Sequence, residues 1–349
     1  MIVHQFTPIL EPGAVGAHTL AIRDVLRAAG HTSEIFAADV RPAYAGAGAR
    51  PVKAYRGGAD ALVYQMAIGS PVADVVLART EPLIVNHHNL TPLRYLRDWQ
   101  PVAAHGVVWG RAQLRELAGR AALGIGDSTY NENDLIEAGY TRTAVVPILI
   151  DFSRINVAPR ETRPGGTAPP TLLFVGRLAP NKAQHDIVKA LAAYRQFHDP
   201  RARLVLVGGG LDEPYGEALQ RFVHALDLDD AVTLTGPVSD AQLAEHYAAA
   251  DVFVVCSEHE GFCVPLLEAM HHGVPIVAYA STAVPETLGD AGVLLDTKEP
   301  CLVAAAAARV VEDDALRARL IARGAERVQT FDIARTGPEL VRAIAEVVG

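Results

Sequence analysis

The stretch from Val252 to Tyr279 constrains the fold more than any other part of this 349-residue chain. An apolar, β-branched run from Val252 to Cys256 reads as a strand buried on both faces. A polar loop follows, then a short helix from Pro265 to His272, then a second apolar run from Pro275 to Tyr279. Pro265 suits the first helical position, where its missing N–H costs nothing, and Gly273 suits a left-handed stop. Strand, loop, helix and strand within about 30 residues make a βαβ unit. Such units gather ligands at the carboxyl end of the first strand. Two carboxylates fall there, Glu260 in the loop and Glu268 one turn into the helix. A carboxylate only accepts hydrogen bonds and has two oxygens, so it matches neighbouring hydroxyl donors on a sugar or ribose. The N–H groups that open the helix would suit an anion or sugar hydroxyls. On composition alone, a helix N-terminal charge beside a solvated loop Glu explains the same residues equally well.

The run Glu260-Gly261-Phe262-Cys263-Val264-Pro265-Leu266-Leu267-Glu268 resembles the Glu, seven residues, Glu signature of retaining glycosyltransferases. These are enzymes of the GT-B fold, in the sucrose-synthase and mannosyltransferase-like family (glycosyltransferase family 4). The resemblance implies that Glu268 holds the ribose hydroxyls of a nucleotide donor. It implies that Glu260, with the backbone of Gly261, Phe262, Cys263, Val264 and Leu266, holds the transferred sugar. Cys263 stands where Gly is commoner. For the fold, it implies an α/β chain of two Rossmann-like domains facing across a cleft, with a C-terminal helix packing back on the first.

Length and composition fit that expectation. A chain of 349 residues suggests two domains, each able to bury a substantial core. No apolar run reaches the ~18 residues of a membrane span. Met1 to Leu10 lacks a basic region and a long apolar stretch, so no secretory signal is evident. Cys256, Cys263 and Cys301 follow no zinc spacing and are expected as free thiols in a reducing cytoplasm. The net charge of −9 is uneven: residues 1–150 hold 13 basic and 13 acidic side chains, the remainder 18 and 27. An acidic chain with no basic stripe argues against nucleic acid as a partner.

Residues 1–150 alternate strand and helix patterns, as a parallel α/β domain does. Ile2 to Thr7 reads as the first strand, followed by Pro12-Gly13-Ala14-Val15-Gly16 and a helix stopped by Gly30. A glycine loop entering a helix lets backbone approach a phosphate or sugar closely. Gly13 and Gly16 lie where the family has its glycine-rich loop beside the donor phosphates. Residues 40–58, rich in Gly, Ala, Pro and Arg, read as an irregular loop. Ala61 to Tyr64 and Leu83 to Asn86 read as strands, the second running into His87-His88-Asn89. His88 with Asn89 resembles the family's His-Asp or His-Asn after the fourth strand. This implies an imidazole beside the reacting sugar, bonding a hydroxyl, with His87 the weaker candidate.

Between residues 93 and 120, Tyr95, Trp99 and Trp109 interleave with Arg94, Arg97, Arg111, Arg115 and Arg120. Basic residues beside Trp suit an acceptor or lipid surface. Amphipathic helices with arginines snorkelling over the core explain them more simply. Membrane association is thus left open and not indicated. Pro159 to Pro170 is a linker by composition. The expected division is 1–155, a linker at 156–170, a nucleotide-sugar domain at 171–330, and a returning helix at 331–349.

The second domain opens with the strand Leu172 to Val175, then Gly176-Arg177-Leu178-Ala179-Pro180-Asn181-Lys182. Two fixed cations around a strand-to-helix turn suit a diphosphate: Arg177 grips two oxygens and Lys182 adds a compact charge. Surface charge at a turn is the plainer account, and this segment resembles the family's Gly-Arg-Leu…Lys. Gly208-Gly209-Gly210 falls short of a dinucleotide fingerprint, because Glu213 occupies the third glycine's place. Asp227-Leu228-Asp229 imitates a metal pair but reads as solvated charge. Gly236-Pro237-Val238 resembles the loop beside the nucleobase, with Ser239 an N-cap.

The expected activity is retaining, metal-independent transfer of a sugar from a UDP- or GDP-linked donor to a hydroxyl acceptor. That acceptor is a sugar, small molecule or lipid-linked glycan, and no cofactor is expected beyond the nucleotide-sugar co-substrate. Arg177 and Lys182 would stabilise the leaving diphosphate, with His88 and Glu260 at the sugar. A GT-B-fold nucleotide-sugar epimerase, or a Rossmann NAD-dependent oxidoreductase, is the alternative reading.

Overall fold

Alternating apolar strands and helices build two parallel sheets, in a computed structural model that describes residues 1–159 and 168–349. One unit comprises Met1–Asp151 with Phe331–Gly349, the other Phe152–Thr330. Residues 160–167 of the expected linker lie outside the described residues.

In the first unit the strands are β1 (Val3–Leu10), β2 (Ile35–Val40), β3 (Arg50–Pro51), β4 (Ala61–Met66), β5 (Leu83–His87), β6 (Ala121–Gly126) and β7 (Thr143–Val145). They lie in the order β3-β2-β1-β4-β5-β6-β7, every pairing parallel. Helices α1 (Ala14–Ala28), α2 (Pro71–Leu77), α3 (Leu93–Leu96), α4 (Pro101–Ala118) and α5 (Thr129–Ala138) connect them. Strand β4 is buried at every position, as a sheet covered on both faces requires. Its side chains alternate: Leu62 and Tyr64 enter a cluster with Phe6, Leu117 and Leu135, while Ala61 and Val63 enter another with Val3, Ile22 and Leu123. Residues 40–58 differ from the expected plain loop. Arg50 and Pro51 pair with Phe36 and Ala37 as an edge strand, where proline's missing donor is tolerated.

In the second unit, β8 (Thr171–Val175), β9 (Arg203–Val207), β10 (Val232–Gly236), β11 (Val252–Val255), β12 (Ile276–Tyr279) and β13 (Val293–Leu295) lie in the order β10-β9-β8-β11-β12-β13. Its helices are α6 (Gln184–Phe197), α7 (Pro214–Ala225), α8 (Asp240–Ala249), α9 (Val264–His271), α10 (Val284–Leu288), α11 (Pro300–Glu312) and α12 (Asp314–Gln329). Ser239 caps α8 as expected, in a reciprocal box with Gln242. Gly208 is a packing device: a Cβ there would stand 2.2 Å from the Gly176 carbonyl oxygen, so only glycine lets the turns after β8 and β9 approach.

The last helix, α13 (Ile333–Val348), returns to the first unit as expected, packing on α1. Leu340 and Ile344 complete the cluster around Val3 and Val63. Among the described residues no helix is long and apolar enough to cross a membrane.

Candidate functional site

Each sheet has one place where successive connections turn in opposite directions, and a crevice opens beyond the strand ends there. In the second unit that place lies between β8 and β11. The turn after β8 and the loop after β11 therefore meet, bringing together residues some 80 apart in sequence. Asn181 ties them: its carbonyl accepts from Glu258 N–H at 2.8 Å, and its Nδ2 donates to the His259 carbonyl at 3.1 Å.

Lys182 Nζ donates to Glu260 Oε2 at 2.5 Å. Glu260 is only 6% exposed. Burial works against the Lys182 charge, but the Glu260 carboxylate outweighs it and raises the ammonium above its usual range. Thr282, after β12, holds the Glu260 backbone from both sides. Its Oγ1 accepts from Glu260 N–H and donates to Glu260 C=O, each at 2.8 Å.

Glu268 sits half-buried in α9, and the Tyr247 hydroxyl donates to its Oε2 at 2.9 Å. Burial lifts the Glu268 carboxyl above its ordinary value, while the Tyr247 bond works the other way. Cys263, between the two carboxylates in sequence, has φ of 72°, and burial pushes its thiol well up. The family's commoner glycine thus corresponds to a left-handed position here. Among the described residues, five other than glycine have positive φ: Asn89, Ala183, Asp227, Cys263 and Thr282. All but Asp227 are a site candidate or adjoin one in sequence or by hydrogen bond, the clustering expected where function over-determines the backbone.

Arg177, on the same turn as Lys182, is held by a different carboxylate. Its side chain is 57% exposed, and one terminal nitrogen reaches both Glu213 oxygens, at 2.7 and 2.8 Å. The carboxylate in the place of the fingerprint's third glycine thus engages the guanidinium. Gly176 opens the turn after β8, and Val238 lies half-buried between β10 and α8. Gly261 is half-buried and Phe262 buried, its carbonyl accepting from Thr287 Oγ1 at 2.6 Å. Val264 opens α9. Leu266 is core, 0% exposed, with its N–H already bonded to the Cys263 carbonyl.

In the first unit the connections reverse between β1 and β4. Gly13 precedes α1 there. Gly16 is demanded by the fold itself, since a Cβ would stand 1.9 Å from the Glu11 carbonyl oxygen. His88 follows β5, but its side chain is 1% exposed and held at both ring nitrogens. Nδ1 lies 2.8 Å from Asp127 Oδ2 and Nε2 lies 2.6 Å from Gln65 Oε1. A relay of amides orients Gln65. The Thr19 carbonyl, which only accepts, takes a bond from Gln5 Nε2 at 3.0 Å, and Gln5 Oε1 takes one from Gln65 Nε2 at 2.8 Å. The expectation that His88 bonds a sugar hydroxyl thus meets a ring whose nitrogens both have protein partners. A hydroxyl would reach Nε2 only by displacing Gln65. His87 points elsewhere, to Asp134 at 2.7 Å, which also binds Arg111. Arg111 and Arg120 bond backbone carbonyls of Leu90, Arg79 and Glu81, in keeping with the simpler reading of the basic stretch.

Asn181, Thr282, Tyr247, Gln65 and Asp127 were not picked out by sequence reasoning. Asp127 had a usable signal, an acid just past a strand's carboxyl end; the others are fixed by contacts between distant segments.

Residues 160–327 match the family model described as Glycosyl transferases group 1. The chain is 33% identical over 272 residues to a D-inositol 3-phosphate glycosyltransferase of Kineococcus radiotolerans, across 72% of this chain and 62% of that protein. It is 38% identical over 165 residues to a GDP-mannose-dependent alpha-(1-6)-phosphatidylinositol monomannoside mannosyltransferase of Mycobacterium tuberculosis, across 45% of this chain and 41% of that one. The chain thus spans less than two thirds of the length of these relatives. Anabaena HepE, solved with UDP and glucose, superposes with a TM-score of 0.73 at 18% identity, over 99% of this chain and 100% of its own. Sucrose-phosphate synthase of Thermosynechococcus elongatus does so with 0.78 at 18% identity, over 99% and 98%. These likenesses show the fold. By that model, these relatives and these two parallel sheets, the chain belongs to the group 1 glycosyl transferases of the GT-B fold.

Proposed function

We propose that this protein is a retaining, metal-independent glycosyltransferase that moves a sugar from a UDP- or GDP-linked donor to a hydroxyl acceptor. The observation that carries the reading is the ion pair of Lys182 with the buried Glu260 at the β8/β11 switch point, with Glu268 one turn into the adjoining helix. HepE was solved with UDP, and a mannosyltransferase relative is named for GDP-mannose, so both bases enter the proposal. The relatives' names point to acceptors carrying inositol, free as its phosphate or within a lipid. The second unit would hold the donor and the first the acceptor, in a reducing cytoplasm where Cys256, Cys263 and Cys301 stay thiols.

Breaking the sugar–phosphate bond builds positive charge on the sugar and negative charge on the diphosphate. Lys182 is already fixed and charged, so it would meet that developing anion without reorganising, the efficient form of electrostatic catalysis. Arg177 would join by exchanging Glu213 for a phosphate oxygen. Glu260 would accept from sugar hydroxyls and Glu268 from the ribose. Retention would follow from departure and attack on one face, the leaving phosphate taking the acceptor's proton.

The test is thermal stabilisation by UDP, GDP, dTDP and NAD in parallel, with chelator and then with Mg²⁺. A ligand at about 100 times its dissociation constant adds about 2.7 kcal/mol of stability. A rise with UDP or GDP in chelator is the expected result. A rise with NAD alone, or only with Mg²⁺, overturns the proposal. Proton NMR of the first-formed anomer decides retention.

A further inference from the structure

Tyr247 is fully buried and gripped on its ring face. It stacks on His272 with centroids 4.6 Å apart and planes 11° from parallel, and it leans on Phe253 at 6.0 Å. Its helix, α8, begins directly after the Val238 loop proposed to lie by the nucleobase. At the far end of that helix the Tyr247 hydroxyl donates to Glu268 Oε2 at 2.9 Å, with the Pro265 carbonyl farther off at 3.5 Å. The last torsion of a glutamate is soft, with a broad energy well. One hydrogen bond from a ring that cannot move is enough to set the carboxylate plane. The bond engages Oε2 only, through one of its two lone pairs.

We propose that Tyr247 is a positioning residue that fixes Glu268 for the paired hydroxyls of the donor's ribose, so that selection of ribonucleotide over 2′-deoxyribonucleotide depends on it. This rests on the reading that Glu268 faces the ribose. A carboxylate free to rotate would still attract one hydroxyl; a carboxylate held in plane meets two together. Loss of the tyrosine hydroxyl should therefore weaken binding of a ribonucleotide and leave its 2′-deoxy counterpart little changed.

Calorimetric titration of UDP, GDP, 2′-deoxy-UDP and 2′-deoxy-GDP separates the possibilities. The wild-type protein should bind its preferred ribonucleotide about 10-fold or more above the deoxy form, as one or two bonds to a charged group imply. Tyr247→Phe keeps the ring packing and should lose about 10-fold for the ribonucleotide with at most about 2-fold for the deoxy form. Glu268→Gln should reduce the same ratio, and adding Tyr247→Phe to it should reduce the ratio no further, since the two act as one unit. If Tyr247→Phe does not fold alone, the Glu268→Gln background, with no charge left unpartnered, carries the comparison. Equal losses for both sugars, an unchanged ratio, or a further drop in the double variant overturns the role of Tyr247. A wild-type protein that binds neither nucleotide, or binds both sugars alike, overturns instead the underlying assignment of Glu268.

Discussion

Lys182 and Glu260 are bound so closely that neither is removable without consequence for the fold. Glu260 is buried and Lys182 is its charged partner. Truncating one member of a buried pair leaves an uncompensated charge, typically at a cost of about 3–5 kcal/mol. Lys182→Ala should therefore melt early as well as turn over slowly, and a rate loss alone would not separate chemistry from unfolding. The double variant Lys182→Ala with Glu260→Gln removes the orphaned charge. It should recover most of the melting temperature while donor turnover stays at least ~100-fold down. Recovery of both together would sink the leaving-group role of Lys182. Glu268 poses the opposite case. Its folded pKa lies above the ordinary 4.5 because the carboxyl is buried. Such a group favours the fold while protonated, fully so below its unfolded pKa, and that contribution is lost as pH rises through the folded value. Glu268→Gln should then raise the melting temperature at pH 7.5, by an amount that shrinks toward pH 4. A gain independent of pH would show that burial of the ionised form is not the cause.

At the scale of elements, the site exists because three connections converge: the β8 turn, the β11 loop and the segment after β12. Thr282 supplies the third, at φ 45°, a strained value for a β-branched residue. Thr282→Ala removes both bonds to the Glu260 backbone and should lower kcat by about 10- to 100-fold with donor KM within a few-fold, because misplacing a reacting group costs rate. Thr282→Ser restores the hydroxyl and should restore the rate; steady-state kinetics of the three proteins would decide. The contrast shows what a sequence discloses. Strand runs such as Val252 to Val255, the Gly273 stop and the Ser239 cap are local and were legible. Glu260, Glu268 and Lys182 could be proposed from sequence only because their segments resemble the family's motifs. The Thr282 clamp, the Asn181 tie and the Tyr247 bond join segments 21 to 78 residues apart and depend on which strands become neighbours. Arg177 shows the same limit in reverse: its turn was legible, but its bond to Glu213, just before α7, depends on how the turn after β9 packs. His88 was legible as a strand-end residue, whereas its enclosure by Asp127 and Gln65 required β4, β5 and β6 to lie side by side.

For the whole molecule, the chain's path makes one unit discontinuous and the other continuous. The first unit needs its last helix, since Leu340 and Ile344 are 1% and 0% exposed within a cluster drawn from β1, β4, β5, β6 and α1. The second unit, Phe152–Thr330, contains the donor candidates Arg177, Lys182, Glu260 and Glu268. Stability and donor binding should therefore separate. Leu340→Ala opens a cavity in the first unit only, at a cost of about 3 kcal/mol. For a unit of this size each kcal/mol lowers the transition by about 2–4 °C. Scanning calorimetry of the full chain should show the first unit's transition falling by about 6–12 °C on that reckoning. The transition that rises with UDP or GDP should stay within a degree or two of wild type, because Arg177, Lys182, Glu260 and Glu268 all belong to the second unit. If the nucleotide-responsive transition falls just as far, the two units unfold as one. The C-terminal helix would then support the donor site as well as the fold that encloses His88.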